Sequence, residues 1–258
     1  MVDRAELRLH VFEPAGLKPA DQRTAVVFFF GGGWSGGDPA QFYQQARFLA
    51  DRGMVGISAE YRVKSRHGTT PFECVKDGKS AIRWVREHAS ELGVDPKRIV
   101  AAGGSAGGHV AACAGVIEGR EEAGENTTIG SVPDAMILMN PVLDTTPRGA
   151  GAPLFKPDQQ TALSPCHHVR PNLPPTLIFH GTADKTVPFE NAERFTRLMK
   201  EADNTCDLVA FDGRGHGFFN SPSFQRRANA ADYELVMKHC VEFLDRTFPA
   251  QEKPKKKQ

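Results

Sequence analysis

No apolar run in this 258-residue chain is long enough to cross a bilayer, which excludes a membrane-spanning helix. The first nine residues carry Asp3, Arg4, Glu6 and Arg8, too much charge for a signal peptide. An excess of one charge is also missing. Lys+Arg number 32 and Asp+Glu 31, so the net charge of +1 removes any global case for nucleic acid or an anionic membrane as partner. Cysteine is scarce: Cys74, Cys113, Cys166, Cys206 and Cys240 lie far apart, with no Cys-x-x-Cys pair. An odd, scattered set gives neither a disulfide framework nor a zinc-ligand spacing, and reads as reduced, mostly buried thiols. There is no internal repeat. The chain reads as soluble and cytoplasmic by default, or secreted if a leader has been removed. Residues 1–250 read as one domain and 251–258 as a basic, solvated tail.

What is present is an alternation of short apolar runs with longer periodic segments, the pattern of a mostly parallel sheet covered by helices on both faces. Arg8–Phe12 reads as an edge strand. Ala25–Phe30 is a continuous apolar run, as in a strand buried on both faces, and it ends at Gly31-Gly32-Gly33. Met54–Ala59, Ile99–Ala102, Ala135–Met139, Thr176–Phe179 and Leu208–Phe211 repeat the pattern. Phe72, Val75, Gly78, Ala81, Ile82 and Val85 fall at helical spacing behind Pro71. Pro188 opens a second helix with Ala192, Phe195, Leu198, Met199 and Ala202 inward, and Tyr233, Val236, Cys240, Phe243 and Leu244 mark a third. Residues 144–175, rich in Pro and Gly, have no clear period and read as a lid-like insertion.

One strand runs into Gly103-Gly104-Ser105-Ala106-Gly107-Gly108, and an Ala-rich helix follows at once. That context makes Ser105 the nucleophile at a sharp strand-to-helix elbow, where small neighbours let the backbone pass closely. A serine hydroxyl needs a base, and the base an orienting carboxylate. Asp184, in His180-Gly181-Thr182-Ala183-Asp184, and His216, in Gly213-Arg214-Gly215-His216-Gly217, each follow a strand. The order Ser, Asp, His is that of an α/β hydrolase. The backbone N–H groups of Gly32, Gly33 and Ala106 complete the set as an oxyanion hole. The glycine run lacks the Gly-Lys-Ser/Thr of a phosphate loop. Trp34 and Phe218 are candidate substrate walls, while His109 and His180 read as structural, and Arg62 with Asp77 as a buried ion pair. His167 and His168 are placed to line the cleft. The mechanism calls for no metal and no cofactor.

These motifs resemble the esterase/lipase group of the α/β-hydrolase superfamily, which includes hormone-sensitive-lipase-like carboxylesterases and bacterial acetylxylan and feruloyl esterases. The resemblance runs from Ala25 to about Leu244 and rests on Gly31 to Trp34, Glu60-Tyr61-Arg62, Asp77 to Trp84, Gly103 to Gly107, His180 to Pro188 and Gly215 to Phe218. It implies the α/β-hydrolase fold and a serine carboxylesterase acting on short-acyl esters, including acetyl or feruloyl esters on plant polysaccharide. Two departures stand out. The family's oxyanion motif usually begins with histidine where this chain has Phe30. Only Met1 to Arg23 precede the first long strand, so no large N-terminal cap is expected and the cleft should be open. The alternatives are a prolyl-oligopeptidase-like serine peptidase and a non-catalytic binding protein on the same fold. The partner expected is a small-molecule or carbohydrate-linked ester, and the state a monomer or homodimer.

Overall fold

A computed structural model of the chain describes residues 5–249, so the basic tail 251–258 lies outside the described residues. Seven strands form one sheet: β1 (Leu9–Phe12), β2 (Arg23–Phe29), β3 (Val55–Ala59), β4 (Val94–Gly104), β5 (Ala135–Met139), β6 (Thr176–Gly181) and β7 (Cys206–Phe211). Their order is β1-β3-β2-β4-β5-β6-β7. Only β1 is antiparallel, lying along β3 at the edge; the other five pairings are parallel. Strands β3 and β5 are buried throughout, because helices cover both faces of a parallel sheet. No described helix is long and apolar enough to cross a membrane.

Among the described residues five helices lie between strands, α1 (Tyr43–Ala50), α2 (Lys64–His67), α3 (Pro71–Glu87), α4 (Ala106–Val116) and α5 (Phe189–Glu201), and α6 (Ala230–Thr247) follows β7. Pro71 occupies the first turn of α3, and a reciprocal cap joins Thr70 and Glu73, satisfying N–H groups that a helix start leaves without partners. On α5 the buried face includes Ala192, Phe195 and Met199, with Leu198 partly buried, and on α6 all five periodic residues are buried. Every residue of α4 is buried, as expected of a helix apolar on all sides. All five cysteines are buried and unpaired.

The sequence reading assigns no element to 38–50, where the structure forms a short 3-10 turn, Pro39–Phe42, and α1. The signal was there: Asp38 caps the turn by accepting from the Ala40 N–H at 2.8 Å, and Pro39 follows it. Strand β4 is also longer than the apolar run Ile99–Ala102, because its start pairs with Arg23 through backbone alone. Residues 144–175 contain three isolated 3-10 turns, anchored where Phe155, Leu163 and Cys166 enter the core.

This order places a switch point between β2 and β4. The chain goes from β2 outward to β3 on one side and from β4 outward to β5 on the other, which opens a crevice at the carboxyl ends of those two strands. Gly31 to Gly33 follow β2 and Ser105 follows β4 at that crevice.

Candidate active site

Ser105 joins β4 to α4 with φ 55° and ψ −121°, a conformation that costs a non-glycine residue about 1–3 kcal/mol. The surroundings over-determine it. Its N–H donates to the Met139 carbonyl at 2.9 Å, and its own carbonyl accepts from His109 N–H at 3.0 Å. A Cβ at Gly107 would overlap the carbonyl oxygens of Phe29 and Phe30, so only glycine lets α4 close onto the end of β2. The N–H of Ala106, first in α4, has no acceptor within its own helix and lies at the end that favours negative charge.

Asp184 and His216 come from the loops after β6 and β7, whose last residues, Gly181 and Phe211, are paired. His216 Nδ1 lies 2.7 Å from Asp184 Oδ2. The N–H groups of Thr186 and Val187 donate to Asp184 Oδ1 at 2.8 and 3.0 Å. His180 Nε2 donates to the Val187 carbonyl at 3.0 Å and lies 3.5 Å from Asp184 Oδ2. Burial works to raise the Asp184 pKa, but the hydrogen bonds from His180, His216, Val187 and Thr186 outweigh it and hold the carboxyl well below the usual range. Asp184 is therefore ionised at neutral pH and can only accept in this contact, so the shared proton sits on His216 Nδ1 and Nε2 faces away from the carboxylate. Among the described residues Ser105 Oγ makes no hydrogen bond; such contacts often tighten only when substrate arrives.

Asn140, which the sequence reading passed over, ties the strand ends together. Its side chain accepts from Gly181 N–H at 3.0 Å and donates to the Gly215 carbonyl at 3.4 Å. It thus bridges the loops that carry Asp184 and His216. A polar residue just past an apolar strand was its only signal.

The glycine turn after β2 has Gly32 at φ 133° and Gly33 at φ 60°, conformations that other residues rarely adopt. The Gly32 carbonyl accepts from Ser35 and Gly36 N–H, both at 3.1 Å, closing the turn. Among the described residues the N–H groups of Gly32 and Gly33 make no hydrogen bond, and neither does that of Ala106. Gly31 N–H is already engaged, donating to Gln41 Oε1 at 2.7 Å. Phe30 stacks on Tyr61 with centroids 4.2 Å apart, and the Tyr61 hydroxyl donates to the Phe30 carbonyl at 2.6 Å. This residue holds the turn by packing and through its backbone, without a polar side chain.

Trp34 is only 4% exposed, and its indole N–H donates to His109 Nδ1 at 3.2 Å. His109 Nε2 donates to the Leu163 carbonyl at 2.7 Å, so the ring is buried and fully hydrogen-bonded. Phe218, 8% exposed, stacks on Phe211 at 4.3 Å. Arg62 and Asp77 form the expected buried ion pair at 2.6 Å. His167 and His168 bond within their own segment, to Ser164 Oγ at 2.8 Å and the Thr161 carbonyl at 2.9 Å.

With this geometry established, the chain can be compared with known proteins. A family model, BD-FAE, matches residues 9–148 and 147–199. The chain belongs to the BD-FAE family. Among solved structures, this BD-FAE chain is similar to Thermogutta terrifontis esterase 2 phosphorylated by paraoxon. The two are 49% identical, with a TM-score of 0.89, over 98% of this chain and 93% of that one. The same Thermogutta terrifontis esterase, solved with propionate or butyrate bound, matches at 48% identity and a TM-score of 0.89, over 98% and 94%. The fold is accordingly that of the α/β-hydrolase esterases. Esterase LipC of Mycobacterium tuberculosis is 30% identical over 220 residues, 78% of this chain and 54% of LipC. The BD-FAE chain thus spans about half the length of the curated relatives it matches first.

Proposed function

We propose that this chain is a serine carboxylesterase that hydrolyses short-acyl esters through Ser105, His216 and Asp184. The observation that carries the reading is the strained Ser105 elbow, sharing one sheet edge with a His216–Asp184 pair 2.7 Å apart. His216 Nε2 takes the Ser105 proton as Oγ attacks the ester carbonyl, and the N–H groups of Gly32, Gly33 and Ala106 receive the oxyanion. The tetrahedral intermediate collapses, His216 returns the proton to the leaving alcohol, and water then repeats the sequence on the acyl-enzyme. Asp184 holds the imidazole and stabilises its charged form. Trp34 and Phe218 act from behind the cleft, bracing its wall rather than meeting substrate face-on.

A short acyl group is supported by the propionate and butyrate bound to the Thermogutta esterase. For the alcohol we infer a bulky or polysaccharide-borne group, with acetyl or feruloyl as the acid, on the motif resemblance. The test pairs a panel of p-nitrophenyl esters of graded length, acetylated xylan and methyl ferulate with paraoxon titration. Wild type should turn over acetate to butyrate esters and take up one equivalent of paraoxon, while Ser105→Ala does neither and keeps its melting temperature. Ester turnover retained in Ser105→Ala overturns the mechanism. No release of acetate or ferulate from the natural esters overturns the polysaccharide reading alone.

A further inference from the structure

A buried amide chain, separate from the reacting groups, runs from the glycine turn to the histidine loop. Gln41, on the 3-10 turn Pro39–Phe42, is 8% exposed and accepts Gly31 N–H on Oε1 at 2.7 Å. Its Nε2 donates to Asn220 Oδ1 at 2.8 Å. Asn220 lies four residues past His216 and is 6% exposed. Its N–H returns to the Gly217 carbonyl at 3.1 Å, and its Nδ2 donates to Gln225 Oε1 at 2.8 Å. Gly31 itself abuts the elbow. A Cβ there would lie 3.2 Å from the Gly104 carbonyl oxygen, 3.3 Å from Ser105 Cβ and 3.6 Å from Gln41 Oε1. The Gln41 amide oxygen therefore anchors the N–H of the glycine that backs onto the nucleophile.

We propose that Gln41 is a positioning residue that sets the spacing between the oxyanion donors after Gly31 and the imidazole of His216. The proposal rests on the esterase reading above. The oxyanion turn and the histidine loop belong to β2 and β7, four places apart in the sheet, so strand pairing alone does not fix their separation. A rigid, buried amide bonded to both does. The amide oxygen and nitrogen of Gln41 are both used, and an apolar side chain of the same length would leave Gly31 N–H and Asn220 Oδ1 without these partners. Phe30, with no polar side chain, cannot supply the connection. Misplacing reacting groups by about 1 Å costs on the order of 100-fold in rate.

The test uses Gln41→Met, which removes both bonds at similar volume, Asn220→Ala, which cuts the far link, and their combination. On p-nitrophenyl butyrate, Gln41→Met should lower kcat about 30- to 100-fold with KM within twofold, and Asn220→Ala should lower it about tenfold. The double variant should be no slower than Gln41→Met, because both cut one chain. An alkylboronic acid, which mimics the tetrahedral intermediate, should lose affinity in parallel with kcat. A merely structural role would lower the melting temperature and leave kcat and boronate affinity per titrated site unchanged, and that result overturns the proposal. Multiplicative effects in the double variant overturn it as well. Should Gln41→Met fail to fold, unchanged kcat and boronate affinity in Asn220→Ala decide against it. Activity surviving in Ser105→Ala would instead sink the esterase reading and is scored separately.

Discussion

Asp77 and Asp184 are both buried carboxylates, and the molecule treats their charge in opposite ways. Asp77 on α3 faces a guanidinium: Arg62 Nε donates to both of its oxygens, Nη2 to Oδ1 and the backbone N–H to Oδ2, while Glu122 accepts from Nη2 on the far side. Burial still raises the Asp77 pKa, with the Arg62 bonds pulling it back only in part. Around Asp184, no lysine or arginine of the described residues forms an ion pair. Its charge is held by two backbone N–H groups and two imidazoles, and there the pKa falls. The first arrangement neutralises a charge and fixes α3 to the β3–α2 connection. The second preserves a negative field, which the proposed mechanism uses to stabilise the imidazolium formed when Ser105 attacks. A carboxylate already paired with a fixed cation could not respond in that way, which is why Asp77 reads as structure and Asp184 as chemistry.

Asp184→Asn should cut kcat about 10⁴-fold, since the carboxamide no longer selects the tautomer or stabilises the imidazolium, while thermal unfolding shifts little. Steady-state kinetics beside calorimetry would read both. Asp77→Ala should do the reverse: it leaves the Arg62 guanidinium poorly compensated and costs about 3–5 kcal/mol of stability, with kcat per folded molecule unchanged in urea-calibrated assays. Loss of kcat at constant stability would show that the two carboxylates are not functionally distinct.

A third buried ionisable group sharpens the contrast through pH. Burial lowers the His109 pKa to about 4, against the weaker upward pull of its bond to Leu163. The unfolded chain, with histidine near 6.5, then binds a proton that the native state refuses. Stability must fall as pH drops from about 6.5 towards 4, by about 2 kcal/mol at pH 5, and no further from this group below its folded pKa. Urea midpoints from pH 7 to 5 should show this slope in wild type and a flatter one in His109→Gln. The smallest effect is expected at the rim of the Arg83 cluster. Arg83 is bonded to Glu121, Glu125 and the Ile129 carbonyl, so Glu125→Gln should cost no more than about 1 kcal/mol.

The strands and main helices were legible because apolar runs and helical spacing are local: β5 was read to the residue, and Pro71 and the periodic residues of α3 and α6 fell where expected. Residues 38–50 were not, since the buried Gln41 of the 3-10 turn and the buried Gln45 of α1 are polar residues that interrupt the apolar spacing of an inward face. The bond of Trp34 to His109 spans 75 positions, and no local pattern records it.

By itself the sequence determined that Ser105 occupies a small-residue elbow and that an aspartate and a histidine follow later strands in hydrolase order, because each of these is written in a few contiguous residues. Which side chains hold the charge of Asp184, how Asn140 joins two loops, and how Gln41 meets both Gly31 and Asn220 were decided only by the tertiary structure. Those contacts join residues far apart in the chain, and hydrogen bonds act over about 3 Å in space whatever the distance in sequence.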